Sequence, residues 1–268
     1  MKKLCPKLFL LLAPSVFVLY VLVIILMFKG KADQVENIVR QTTGAESECE
    51  TLGKSEPETE ATQAASNTDK TETSDWMLVL VNFQNPIENN PEIEFTELSY
   101  GVTVDRRMYP DLQKMMDDAR AEGLSPLVCS GFRSREEQQS LYNSRVDQNI
   151  KSGMQSSEAE ADAAKWVAYP GTSEHHTGLA VDIVSVGNQR LDSTQENTAE
   201  QRWLMENSWK YGFILRYPKG KTHITGIYYE PWHYRYVGKE AAEEIFARNI
   251  TLEEYLFEKG KDTEKIQN

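Results

Sequence analysis

The chain has 268 residues, 40% hydrophobic and 26% charged, an ordinary balance for one large globular domain or two small ones. Its formal net charge is −12, from 29 Lys and Arg against 41 Asp and Glu, and no basic stripe with interleaved aromatic residues runs along it. Phosphate binding needs clustered Lys and Arg, so the composition argues against a nucleic-acid partner.

The chain opens with Lys2, Lys3 and Lys7, then an uncharged run of 21 residues from Leu8 to Phe28. As a helix, at about 1.5 Å per residue, such a run spans ~31 Å, close to the ~30 Å hydrocarbon core of a bilayer. A cleaved signal peptide has a shorter apolar region, about 7–15 residues. Lysines at 29 and 31 also make Gly30-Lys31-Ala32 a poor cleavage site. The expectation is an uncleaved transmembrane signal anchor over 8–28. The balance of lysines on its two sides leaves residues 1–7 in the cytoplasm and everything after Phe28 outside it.

Residues 29–75 are rich in Glu, Thr, Ser, Gln and Ala with almost no large apolar side chains. Such a segment buries too little surface to offset its ordering entropy, which predicts a disordered acidic linker. Cysteines stand at 5, 49 and 129, neither an even set nor a CxxC pair, so no disulfide framework and no cysteine zinc site is indicated. Cys129 sits in an apolar stretch and reads as a small buried residue.

Order is expected over 76–268. MLVLVNF (77–83) is β-prone and runs into the breaker-rich NPIENNPEI. Over 105–123, Met108, Leu112, Met115, Met116 and Ala119 recur at helical spacing, with Gly123 as the stop. A strand follows over 124–132, then an amphipathic helix over 133–150 that Ser134 caps, with Glu137 three residues on. A helix over about 157–166, a strand over 179–186 and a helix over 197–212 come next. Segments 213–217 and 224–237 are β-prone around the turn 218–221, and helices over 239–248 and 251–259 finish the chain. Strands and helices mixed without regular alternation predict one α+β domain with a central, largely antiparallel sheet flanked by helices.

Ser173 to Asp182 reads SEHHTGLAVD, which packs Ser, two His and Asp into ten residues. A Ser-His-Asp triad draws its members from separate loops, and no GxSxG elbow is present, so the nucleophilic reading is weak. Asp182, inside LAVDIV, needs a hydrogen-bond partner, a cation or a metal. Strand alternation puts Ala180 and Asp182 on one face, with Leu179, Val181 and Ile183 towards the core. Zinc that activates water wants three protein ligands and an open position. His175 and Asp182 offer two, and EPWHYRY (230–236) offers His233, with Glu230 as a base. WHY alone is more often a packed core histidine, and HxxxxxxD alone is also weak. Together they favour the metal.

SEHHTGLAVD matches the SxHxxGxAxD pattern of the VanY-like D-alanyl-D-alanine carboxypeptidases, and EPWHYRYVG matches their second zinc motif. SGFRSREEQ (130–138) resembles the family's upstream SG[YF]RSxxxQ segment, and the likeness covers about Met77 to Lys239. The resemblance implies one Zn2+ held by His175, Asp182 and His233, Glu230 as catalytic base, and Arg133 on the scissile carbonyl or its oxyanion. It implies that Gln138 and Ser173 touch the substrate's terminal residues; solvation on a helix surface and helix capping are their alternatives. His176 is left as a second-sphere or surface residue, and His223 as no ligand. Tyr169-Pro170-Gly171 departs from the family's usual approach to the first motif.

The implied activity removes the C-terminal D-alanine from peptidoglycan stem peptides, at a D,D or an L,D bond. The alternatives are an endopeptidase of the same fold or a non-catalytic zinc-binding cell-wall module. The expected protein is a single-pass membrane monomer with its catalytic domain outside the cytoplasm.

Overall fold

Four antiparallel strands in the order β3-β4-β6-β5 form the main sheet, and a separate two-stranded ribbon pairs β1 with β2. The computed structural model describes residues 76–88 and 91–260, so the anchor expected over 8–28 and the linker expected over 29–75 lie outside the described residues. Among those described, no helix is long and apolar enough to cross a membrane.

In chain order, β1 (Phe95–Glu97) and β2 (Thr103–Asp105) precede α1 (Tyr109–Ala121), β3 (Pro126–Ser130), α2 (Arg135–Lys151) and α3 (Ser156–Trp166). β4 (Ala180–Ser185), α4 (Ala199–Asn207), β5 (Phe213–Leu215), the single turn α5 (Thr222–Thr225) and β6 (His233–Tyr236) follow, and α6 (Lys239–Arg248) and α7 (Leu252–Glu258) close the order. This is the α+β arrangement the sequence predicts, an antiparallel sheet flanked by helices.

The alternation expected of β4 holds. Leu179, Val181 and Ile183 pack in one apolar cluster with Leu112, Met115, Met116 and Ala119 of α1. Ala180 and Asp182 are also buried, and by strand alternation they lie on the opposite face. A second cluster joins Ile214 and Val237 to Ala242, Ile245, Leu252 and Leu256 of the last two helices. The Ser134 cap forms as a full capping box with Glu137, which fixes where α2 begins.

Several expected elements are shorter or different. The β-prone 77–83 is no strand, because the carbonyls of Met77 and Val79 accept from the Arg235 guanidinium (3.0 and 2.8 Å) instead of a neighbouring strand. The helix expected from 105 begins at Tyr109, since Val104 and Asp105 pair with β1. Its Pro110, near the first helical position, loses no intrahelical bond there. The helix expected to reach 212 ends at Asn207 and tightens into a 3₁₀ turn that Gly212 closes at φ +84°. Of the β-prone 224–237 only the last four residues pair, and Gly226 at φ +77° ends the helical turn before them.

Cys129 departs from expectation as well. It is exposed, because β3 shifts register between Val128 and Ser130 and leaves Cys129 as the unpaired residue of a bulge. The same bulge sets Ser130 opposite Asp182.

Candidate active site

β4 and β6 are neighbours in the sheet, and their register sets Asp182 directly opposite His233. His175 reaches the same point from the 3₁₀ turn Glu174–Thr177, which Gly178 closes at φ +69° and feeds into β4. A Cβ at Gly178 would stand 3.0 Å from the Asp105 amide nitrogen, so both the backbone twist and the close approach require glycine there. The turn explains how a seven-residue spacing brings two side chains together.

His175, Asp182 and His233 each offer one ligand atom, and these atoms lie within 4.8 Å of one another. His175 Nε2 is 3.4 Å from Asp182 Oδ2, and His233 Nδ1 is 3.2 Å from Asp182 Oδ1. All three residues are buried. Asp182 Oδ1 is buried with no hydrogen-bond partner among the described residues, which is costly for a carboxylate unless a cation meets it. On the far side of the His175 ring, Nδ1 lies 2.6 Å from the Gly131 carbonyl and donates to it, which leaves Nε2 with its lone pair towards Asp182. Two imidazoles and a carboxylate suit zinc. The donor set fits that metal.

Glu230 sits in the loop before β6, with Oε2 3.5 Å from His233 Nδ1. Burial pushes its carboxyl up to about 8, more than His233 and Arg133 offset. Arg133 follows the end of β3, and its Nη2 donates to Ser130 Oγ at 2.7 Å, so the bulge that expels Cys129 also supplies its anchor. Arg133 Nη1 donates to Gln138 Oε1 at 2.9 Å, and Gln138 Nε2 donates to the Ala168 carbonyl at 2.6 Å. Gln138 is therefore buried and engaged at both amide ends, not solvated on a helix surface. Ser173 lines the same cavity, and its hydroxyl caps nothing.

His176 is buried and not at the surface. Its Nδ1 lies 2.7 Å from the Arg133 carbonyl and its Nε2 accepts from the Gly171 amide at 3.1 Å, so it ties the arginine's backbone to the loop before the first motif. His223 is exposed.

Sequence reasoning missed the ionic cluster beneath this group. Glu174, an unassigned position of the first motif, is fully buried. Its Oε1 accepts from Arg216 Nε at 2.7 Å and Arg235 Nη1 at 2.8 Å. Arg216 also forms a two-pronged pair with Glu253, at 3.0 and 2.6 Å. Glu174 Oε2 and His233 Nε2 are both buried without a hydrogen bond among the described residues, and they face each other at 3.7 Å. The available signal was alternation: Arg235 lies two residues beyond His233, so both point to the same face of β6.

Burial opposes charge on both imidazoles, with opposite outcomes. His175 is pushed down to about 4 by burial and by Arg133. His233 is pushed up to about 9, because the Asp182 and Glu174 carboxylates outweigh burial. A nitrogen ligand must be neutral, so metal binding should displace a proton from His233. Zinc affinity of the metal-free protein is expected to rise as pH increases from 6 towards 9. Calorimetric titration in buffers of different ionisation enthalpy should show net proton release near pH 7; a pH-independent affinity would exclude this exchange.

Comparison with known proteins places the chain in a family. The family model described as VanY, D-alanyl-D-alanine carboxypeptidase, matches residues 101–239. A D-alanyl-D-alanine carboxypeptidase of Enterococcus faecalis is 50% identical over 182 residues, which are 68% of this chain and 66% of that protein, just under two thirds of its length. A crystal structure of a mutant of the vancomycin-resistance D,D-pentapeptidase VanY, in complex with Zn(II), matches with a TM-score of 0.63 and 50% identity. That match covers 68% of this chain and 99% of the other. The structure of the LD-carboxypeptidase LdcB matches with a TM-score of 0.55 at 38% identity, over 66% of this chain and 84% of that one. The chain belongs to the VanY family of D-alanyl-D-alanine carboxypeptidases.

Proposed function

We propose that the protein is a zinc carboxypeptidase that removes the C-terminal D-alanine from peptidoglycan stem peptides, with the D,D bond as its preferred target. The observation that carries this reading is the position of Glu230, a buried carboxylate 3.5 Å from the third ligand and in one cavity with all three ligands and Arg133. The 50% identical relative named for D-alanyl-D-alanine supports the D,D bond over the L,D bond.

His175 Nε2, Asp182 and His233 Nδ1 would hold the metal, which when bound supplies a Lewis acid able to lower the pKa of a water towards ~7. Glu230, which a cation bound beside it would favour in the ionised form, takes a proton from the attacking water as its oxygen adds to the scissile carbonyl carbon. The carbonyl π pair moves onto oxygen, and the Arg133 guanidinium stabilises that charge. Because Ser130 and Gln138 already hold Arg133 in place, little reorganisation is needed when the charge develops. As the C–N bond breaks, Glu230 returns the proton to the departing D-alanine amine, leaving a shortened peptide with a new carboxylate. The Ser173 hydroxyl, uncommitted to any cap, serves the substrate's terminal residues.

The same reading puts the site outside the cytoplasm, tethered by residues 8–28 and the linker over 29–75, as a monomer. Protease accessibility of the domain in intact spheroplasts tests this; protection there would contradict it. Penta- and tetrapeptide muropeptides offered together test the bond preference. Release of D-alanine mainly from the pentapeptide is expected, and release mainly from the tetrapeptide would reassign the enzyme as an L,D-carboxypeptidase.

A further inference from the structure

The cavity continues beyond the reacting groups along one face of α2. Gln138, Leu141, Arg145 and Gln148 of that helix line it, at intervals of three, four and three residues. Gln138 marks the catalytic end through its bond to Arg133. Arg145, two helical turns on, lies ~10 Å further along the axis at about 1.5 Å per residue. That length matches roughly three residues of extended peptide.

Arg145 differs from the other arginine of the cavity. Arg133 spends two donors on Gln138 and Ser130. Arg145 makes no hydrogen bond among the described residues, and its Nε is buried without a partner. Its nearest carboxylate, Asp162 Oδ2, stands at 3.8 Å and already accepts from Asn149 Nδ2 at 3.0 Å. The guanidinium is instead held over the Trp166 ring, 4.8 Å from its centroid, with Tyr228 against the same indole at 4.9 Å. Packing on Trp166 accounts for where the group sits. It does not account for Nε, which is buried without a hydrogen-bond partner beside the cavity although the side chain as a whole is 31% exposed.

We infer that Arg145 forms a subsite for a free carboxylate carried by the acyl part of the peptide, about three residues before its C-terminus. A guanidinium held against an indole keeps its planar fork of donors for an anion, and carboxylate is the planar partner it matches two-pronged. Carboxylate is also the anionic group a peptide brings. Leu141, Leu191 and Ile227 line the same cavity together with Ser144 and Gln148, and beyond Arg133 the lining offers Arg145 as its other guanidinium. This inference rests on the peptidase reading above and adds to it a selectivity for the upstream part of the substrate.

The test uses zinc-loaded full-length protein and two synthetic peptides ending in D-Ala-D-Ala. One carries a free carboxylate about three residues before the C-terminus; the other carries a carboxamide at that position. An N-acyl-D-Ala-D-Ala too short to reach Arg145 serves as control. The wild type should favour the carboxylate peptide by about tenfold or more in kcat/KM. Arg145→Gln should abolish that preference, mainly through KM, and leave the carboxamide peptide and the short control unchanged. Equal rates on the two peptides in the wild type, or an equal loss on both in the variant, would overturn the subsite. If Arg145→Gln does not fold, the wild-type comparison decides alone. Calorimetric binding of the two peptides to Glu230→Ala protein reads the same preference without turnover. A preference there with no hydrolysis by the wild type would count against the reaction and not the subsite; no preference there would sink the subsite.

Discussion

Glu230→Ala is expected to lower kcat on a D-Ala-D-Ala peptide by about 10²–10⁴-fold, the usual contribution of a general acid–base group, while zinc stoichiometry stays at one. Its carboxylate is not among the three ligands the site offers, so metal retention and loss of turnover should separate. The stability of the metal-free wild type should also fall, relative to this variant, as pH rises. Burial raises the Glu230 carboxyl from 4.5 to about 8. A raised carboxyl contributes stability that is complete below its unfolded value and is lost as pH rises through the folded one. The metal-free wild type should therefore lose stability between pH 4.5 and 8 relative to Glu230→Ala. Near-wild-type turnover in the variant would contradict the assigned base. Zinc lost along with activity would move Glu230 into the ligand set.

Glu174→Ala carries the second large effect, on stability and on the metal together. It would strip the shared acceptor from Arg216 and Arg235, both fully buried, leaving only Glu253 inside the cluster. Removing one member of a buried pair costs about 3–5 kcal/mol because the remaining charge is uncompensated. For a domain of this size that is a fall in Tm of ~6–20 °C. Burial opposes ionisation of the Glu174 carboxyl, but the Arg216 and Arg235 guanidiniums outweigh it and hold the group well below 4.5. Such a group contributes stability above its unfolded pKa and loses it as pH falls towards the folded one. The gap between wild type and variant should thus narrow on acidification below pH 4.5. The variant should also bind zinc more weakly, since Glu174 Oε2 is the group facing His233 Nε2. Denaturation and zinc titration at neutral pH check both. An unchanged Tm would mean that the two arginines find other acceptors.

What the sequence disclosed follows from the range of the interactions involved. Asp182 was legible because a carboxylate between Val and Ile has few uses, and His233 because the motif around it is short and contiguous. The α2 start was legible because a capping box is local to four residues. The ionic cluster was not, because its pairs are 37 to 61 residues apart and an arginine in a short strand ordinarily faces water. The irregular path of 77–83 was hidden for the same reason: its carbonyls answer to Arg235, 156 and 158 residues on. Cys129 turned outward because of a bulge, which alternation alone does not announce.

The most direct measurement follows a stem pentapeptide by mass spectrometry during incubation with the full-length protein, before and after chelation and zinc restoration. A zinc carboxypeptidase built on His175, Asp182, His233 and Glu230 should release one D-alanine from the C-terminus, stop on chelation and resume with zinc. Cleavage at an internal bond, or hydrolysis indifferent to the chelator, would contradict it.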